Sequence, residues 1–149
     1  MAHPKPRKWT PRNPEKYVGD VNNIIARSSW EVKFMNYCDS HPEVLKYSSE
    51  ELVIPYISPV DGRPHRYFVD FIILVKTRTG ELKRIAVEIK PLAQCFPPST
   101  QAKTAKQRAR VLNETATYHV NQAKWAAARE FCRKRGMSFE VLTERELNV

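Results

Sequence analysis

The stretch YFVDFIILVKTRTGELKRIAVEIKP, residues 67–91, reads as two apolar strands joined by a polar turn. Phe68 to Val75 is β-branched and aromatic, the composition that strands prefer. The run is nearly continuous, which places it in a sheet covered on both faces. Lys76 to Glu81 forms the turn, where Gly80 is free to take a positive φ. The return strand runs from about Leu82 to Lys90. Pro91 has no amide hydrogen to give to a ladder and ends it. Side chains alternate along a strand, so Ile85, Val87 and Ile89 share one face while Glu88 and Lys90 share the other. The hairpin brings the Asp70 region beside the Glu88 region.

Three charged residues therefore sit where an ordinary core would exclude them. A buried carboxylate is costly unless it is paired or bound to a cation. Asp70 and Glu88 side by side would also repel each other. A divalent cation resolves both problems, and hard cations such as Mg²⁺ prefer carboxylate and carbonyl oxygens. The alternative for so short a motif is an Asp70–Lys90 ion pair with Glu88 pointing to solvent. The placement of all three residues within or at the ends of apolar strands brings the two readings to equal weight.

Asp70 followed by Glu88-Ile89-Lys90 resembles the PD-(D/E)xK nuclease signature, with Val69 where that family often has Pro. Further elements extend the match: Ser29-Trp30-Glu31, His41-Pro42-Glu43-Val44, Tyr67-Phe68-Val69-Asp70-Phe71 and Val87-Glu88-Ile89-Lys90-Pro91. Together they resemble the amino-terminal endonuclease domain of TnsA-type transposition proteins. Among small, basic, stand-alone versions, the chain is similar to the head completion nucleases of T-even-type bacteriophages. The resemblance covers roughly Ser28 to the C-terminus. It implies an α/β fold with a restriction-endonuclease-like core, a mixed β-sheet flanked by helices. It also implies a metal-dependent DNA endonuclease acting in phage head completion and DNA packaging, in the host cytoplasm or on the virion, with head or portal components as partners. Glu31 matches the helix glutamate that completes the acidic cluster in this group. The expected metal set is then Asp70, Glu88, the Ile89 carbonyl and Glu31, holding Mg²⁺ or, as a substitute, Mn²⁺. Lys90 is the expected electrostatic partner of the reacting phosphate. A non-catalytic DNA- or virion-binding module on the same fold is the second reading.

The whole chain fits this frame. Its 149 residues suffice for one domain with a real core. Against 16 Asp+Glu stand 25 Lys+Arg, a net charge of +9 that favours polyanions. No apolar run approaches the roughly 18 residues of a membrane span, and no small-molecule cofactor motif appears. Cys38, Cys95 and Cys132 are widely spaced and suggest neither a disulfide framework nor a zinc site.

Residues 1–18 hold four prolines, with Lys5, Arg7, Lys8, Arg12 and Lys16 against the single acid Glu15. They read as an extended basic arm ahead of a single domain over 19–149, suited either to phosphate neutralisation or to loose docking. Ser28-x-x-Glu31 fits a capping box opening a helix. Trp30, Phe34, Tyr37 and Cys38 form its core face, and Pro42 lies beyond its end. Glu51 to Ile57 reads as an edge strand because of Pro55. Arg66 alternates with Phe68 and Asp70, within reach of a phosphate, and His65 is a proton-shuttle candidate with no visible partner. A basic helix over 101–113 carries Lys103, Lys106, Arg108 and Arg110 with no acid, a candidate grip on a DNA backbone. A second helix over 115–135, stopped by Gly136, packs through Tyr118, Trp125, Ala128 and Cys132. Gln122 shares that face as a possible accessory of the site, and Lys124 points away from it. A strand over 137–143 and a short helical turn close the chain. With no base-reading element, the expected binding is sequence-tolerant and salt-dependent.

Overall fold

A computed structural model describes residues 5–149. In chain order the elements are β1 (Arg7–Lys8), β2 (Ile25–Ala26), α1 (Ser29–Ser40), β3 (Val44–Ser49), β4 (Val53–Ile57), β5 (Pro64–Phe68), β6 (Phe71–Lys76), β7 (Leu82–Ile89), α2 (Ala105–Lys134), β8 (Ser138–Leu142) and α3 (Glu144–Leu147). The central sheet has the order β3-β6-β7-β8. Its first three strands are antiparallel, and β8 lies parallel to β7. A parallel neighbour needs a crossover connection, and α2 supplies it. The fold is therefore a mixed sheet flanked by helices, as expected.

Each face of the sheet has its own core. Phe34, Met35 and Cys38 of α1 pack with Phe71, Ile73 and Val87 on one face. On the other, Trp125, Ala128 and Cys132 of α2 pack with Val69 and Ala86. Ile54, Tyr56 and Tyr67 join this second core from a separate two-stranded ribbon, β4–β5. Two-sided covering explains why the strand sequences are nearly continuous in apolar residues.

The hairpin is as expected, with Phe71 opposite Val87 and Lys76 opposite Leu82. Its turn is closed by Thr77 N–H to the Glu81 carbonyl at 2.8 Å and by Gly80 N–H to the Thr77 carbonyl at 2.9 Å. Gly80 takes φ +88°, a conformation costly for any other residue.

The sequence expectations need correction in several places. The apolar run through Asp70 is two strands, not one. β5 pairs only with β4, while β6 pairs with β3 and β7. Val69 N–H still bonds the Leu52 carbonyl, and the Asp70 carbonyl takes the Glu50 amide. The chain changes sheets at Asp70, and both halves are covered, so hydropathy carries no mark of the break. Strand β3 was not expected, because Lys46-Tyr47-Ser48-Ser49 is too polar to read as a strand; it lies at the sheet edge. In α1, Met35 takes the core position expected for Tyr37, which is 47% exposed and stacks on His41. The two helices expected over 101–135 are the single 30-residue α2, started by a Thr104–Gln107 capping box. No Gly or Pro interrupts it, so nothing stops propagation.

The described part of the basic arm, residues 5–18, is docked on the body. β1 pairs with β2, and Tyr17 is buried in the core beside Tyr47. The Arg12 and Asn13 amides donate to the buried Asp39 carboxylate at 3.0 and 3.2 Å. Lys16 Nζ donates to the Cys38, Asp39 and His41 carbonyls at 2.6, 3.1 and 2.9 Å. These carbonyls belong to the last turn and the C-cap of α1, where the helix dipole favours a cation. One cation of the arm, Lys16, thus caps a helix, while Lys5, Arg7, Lys8 and Arg12 stay exposed. Residues 1–4, His3 among them, lie outside the described part.

Asp39→Ala leaves two amides and the Tyr47 hydroxyl without their acceptor. It should lower stability by roughly 2–4 kcal/mol in urea unfolding. Trypsin should then cut between Arg7 and Lys16 at concentrations that spare the parent.

Candidate active site

The corner at Asp70 and the end of β7 place the charged residues. Phe71 faces Val87 across the ladder, so Asp70 comes level with Glu88. Asp70 Oδ2 accepts the Ile89 amide at 2.8 Å. Glu88 is 6% exposed and faces the second core together with Ala86. Its Oε2 accepts a short hydrogen bond from the Tyr67 hydroxyl. Its Oε1 lies 3.5 Å from Lys90 Nζ. Glu88 is therefore buried and not solvated, and Lys90 pairs with Glu88, so the ion-pair alternative read from sequence is not the arrangement found.

The electrostatics follow from burial. Desolvation, and then the charge of Glu88, push the Asp70 carboxyl up to about 8, against the pull of the Ile89 amide. Burial and Glu88 also push the Tyr67 hydroxyl upward, which keeps it a donor to the carboxylate. Burial likewise raises the Glu31 carboxyl, opposed by its hydrogen bond from the Arg27 amide. The acidic groups of this partly dry corner thus outnumber the one ammonium nearby, and burial disfavours their charged forms.

Glu31 stands on the first turn of α1, where Ser28 Oγ accepts its amide at 3.1 Å. Its own Oε2 takes the Arg27 amide at 2.6 Å, one residue ahead of the N-cap expected for a reciprocal box. Glu31 lies within electrostatic range of Asp70 and Glu88. Among the described residues, no three acidic, histidine or cysteine side chains converge closely enough to hold an ion. The groups that could hold a hard cation are Asp70 and Glu88, with the Ile89 carbonyl at the same strand end. An oxygen-only set with unbalanced buried charge suits such a cation.

Several neighbours escaped the sequence reading. Glu50 pairs with Arg27 through contacts of 2.8 and 3.3 Å and donates its amide to the Asp70 carbonyl. It holds φ +57°, rare for a residue with a side chain and common near functional sites. No local signal marks it. Lys124 does not point away: its Nζ lies 5.9 Å from the Tyr56 ring and 5.5 Å from the Tyr67 ring. On α2 the buried face is Asn121, Trp125, Ala128 and Cys132. Gln122 is only half-buried beside it. Asn121 Nδ2 and Trp125 Nε1 are buried without a hydrogen-bond partner. The 3.6-residue period could have selected Asn121 through its spacing from Trp125 and Ala128.

The other expected positions lie further out. Arg66 is exposed with its guanidinium 5.5 Å from the Phe68 ring centre, and the change of sheet breaks its alternation with Asp70. His65 does have a partner, Asp61 Oδ2 at 2.8 Å. Lys103, Lys106 and Arg108 are exposed. Arg110 is not free of acid, since Glu114 lies 3.7 Å away.

A helix-flanked mixed sheet with this acidic corner and a Glu-x-Lys strand defines a restriction-endonuclease-like protein. The model of the TnsA-like endonuclease N-terminal family matches residues 41–144, and the chain belongs to that family. It is similar to the head completion nuclease of Enterobacteria phage T4, 41% identical over 138 residues, which cover 92% of this chain and 89% of the relative. The matched family region begins after α1 and so leaves Glu31 outside it.

A carboxyl held near 8 by the fold destabilises the folded state wherever the unfolded chain would already have released the proton. The unfolded chain ionises it from about pH 4, so stability is lost as pH rises from about 4 to about 8 and is level above. Asp70→Asn keeps an acceptor for the Ile89 amide and removes the charge. In the metal-free protein it should raise the melting temperature by several degrees at pH 8 and by little at pH 4.

Proposed function

We propose that the protein is a metal-dependent DNA endonuclease that acts in the completion of phage heads. The observation that carries this reading is the side-by-side placement of the Asp70 and Glu88 carboxylates with Lys90 at the end of β7, in a chain of the TnsA-like endonuclease family. The biological setting comes from the likeness to the phage T4 head completion nuclease.

Asp70, Glu88 and the Ile89 carbonyl would hold Mg²⁺, with Mn²⁺ as a substitute. A bound divalent ion stabilises charge on the phosphoryl oxygens and activates water near neutral pH. The remaining work falls to the chain's own groups. Tyr67, through its hydrogen bond to Glu88 Oε2, fixes the carboxylate rotamer. Lys90 sits beside Glu88 with its ammonium available to the attacking water and the pentavalent phosphorus. Glu31, tied to the Arg27 amide, completes the acidic set through water. Lys124, lodged over Tyr56 and Tyr67, presents a cation to the phosphate on the second-core side. Lys103, Lys106 and Arg108 on the α2 side, with Arg66 on the ribbon, contact the backbone further out. Such contacts carry no sequence information, so cutting is sequence-tolerant and weakens as salt rises. DNA and the maturing head are the partners, which places the protein in the infected cell's cytoplasm or on the virion; among the described residues no helix is long and apolar enough to cross a membrane.

Supercoiled plasmid incubated with Mg²⁺ should be nicked by the parent and not by Glu88→Ala, with DNA binding retained in both. Lys90→Ala should cut about 10²–10³-fold more slowly. Binding without cutting in the parent, in Mg²⁺ and in Mn²⁺, would replace this reading by that of a non-catalytic DNA- or virion-binding module.

A further inference from the structure

A cleft of about 550 Å³ opens between the loop after β7 and the outer half of α2, apart from the acidic corner. Phe96 and Tyr118 line it, with Pro97 and Pro98. Phe96 is 60% exposed. Gln94, Asn113 and Asn121 bring three side-chain amides to the same cleft, and no lysine or arginine lines it. Asn121 is only 5% exposed, and its Nδ2 has no hydrogen-bond partner. Native structures rarely leave a buried amide donor unused, so this one calls for a ligand or for bound water.

The lining sorts the possible ligands. A phosphate would find no cation in the lining and would face Glu114, whose carboxylate already occupies the nearby Arg110. A lipid or an apolar peptide would leave the three amides unpaired. A flat, uncharged ring with polar edges satisfies both features, stacking on the exposed Phe96 and taking the amide at its edge. The volume falls in the range of ordinary ligand pockets.

The position links the cleft to the site. Phe96 follows Lys90 by only a proline and one short 3-10 turn, Leu92–Cys95. Asn121 stands one helical turn before Trp125, which packs in the second core with Tyr67, the hydrogen-bond partner of Glu88. We infer that this cleft holds an unpaired nucleobase of the substrate strand, next to the phosphate at the acidic corner. The inference rests on the nuclease reading and narrows it: the preferred DNA carries an unpaired base beside the cut, as at a single-stranded tail or a junction. A base leaves the stack most cheaply where it is already unpaired. Stacking on Phe96 is tolerant of base identity because every base has a π-face.

The test is a fluorescence titration in EDTA, so that no cutting intervenes. 2-Aminopurine is placed at the first unpaired position of a tailed duplex, and at the same position of a blunt duplex. The parent should bind the tailed DNA about tenfold or more tightly than the blunt one, with a change in 2-aminopurine emission on binding. Phe96→Ala removes an exposed ring and should not disturb the fold. It should bring the tailed affinity down to the blunt value and leave the blunt affinity unchanged. Asn121→Ala should weaken tailed binding in the same direction. Equal affinities of the parent for both DNAs, including failure to bind either, would overturn the inference, as would a full preference retained by Phe96→Ala. The plasmid assay in Mg²⁺ separates the two readings. Cutting without the preference removes the base cleft and keeps the nuclease. The preference without cutting keeps the base cleft and removes the nuclease.

Discussion

Two carboxylates, Asp70 and Glu88, are held side by side in a partly dry corner, and the rest of the structure is arranged to tolerate this. The register of β6 on β7 sets them level, and the Ile89 amide and Tyr67 hydroxyl each hold one oxygen. Lys90 offsets part of the charge. Burial, and then the neighbouring charge of Glu88, outweigh that offset, which is why the Asp70 carboxyl sits so far above the usual carboxylate range. The second core bears the consequence. Tyr67, Trp125 and the ribbon β4–β5 form a packed wall behind Glu88, and a carboxylate with a locked rotamer arrives preorganised for a cation.

The change of sheet at Asp70 serves the same end. A continuous strand would have pointed Asp70 into one packed face. The break lets the side chain leave the pleat at a corner, where Glu50 holds a left-handed backbone to receive the Asp70 carbonyl. Local strain and a local excess of charge thus fall on adjacent residues, and the two-sided core around them holds both in place.

Much of this was legible in the sequence. The alternation of Ile85, Val87 and Ile89 against Glu88 and Lys90 fixes the faces of β7, and Gly80 fixes the turn. Ser28 announces α1. What escaped has physical reasons. An apolar run covered on both faces reads the same whether it forms one strand or two, so the corner at Asp70 was invisible. Tyr47 and its serine neighbours hide an edge strand. Lys16 and Arg12 count as charge in a composition, but only the fold shows that one caps a helix and the other lends its amide to Asp39. Asn121 and Gln122 both stand at helical spacing from Trp125, four and three residues before it, so the period alone admits either to the packed face. The spacing of Tyr118 from Trp125 predicts that it opens the packing face of α2, but the fully buried stripe begins at Asn121.

Because α2 is one unbroken 30-residue helix, it also acts as a ruler. Its buried stripe begins at Asn121, and the turns before that extend past the sheet carrying the exposed Lys106 and Arg108. From Trp125 back to Lys106 the rise is roughly 28 Å at 1.5 Å per residue. That length corresponds to about eight base pairs of duplex. A stiff rod cannot shorten, so the distance between Trp125 in the second core and the distal cations is set by the helix itself.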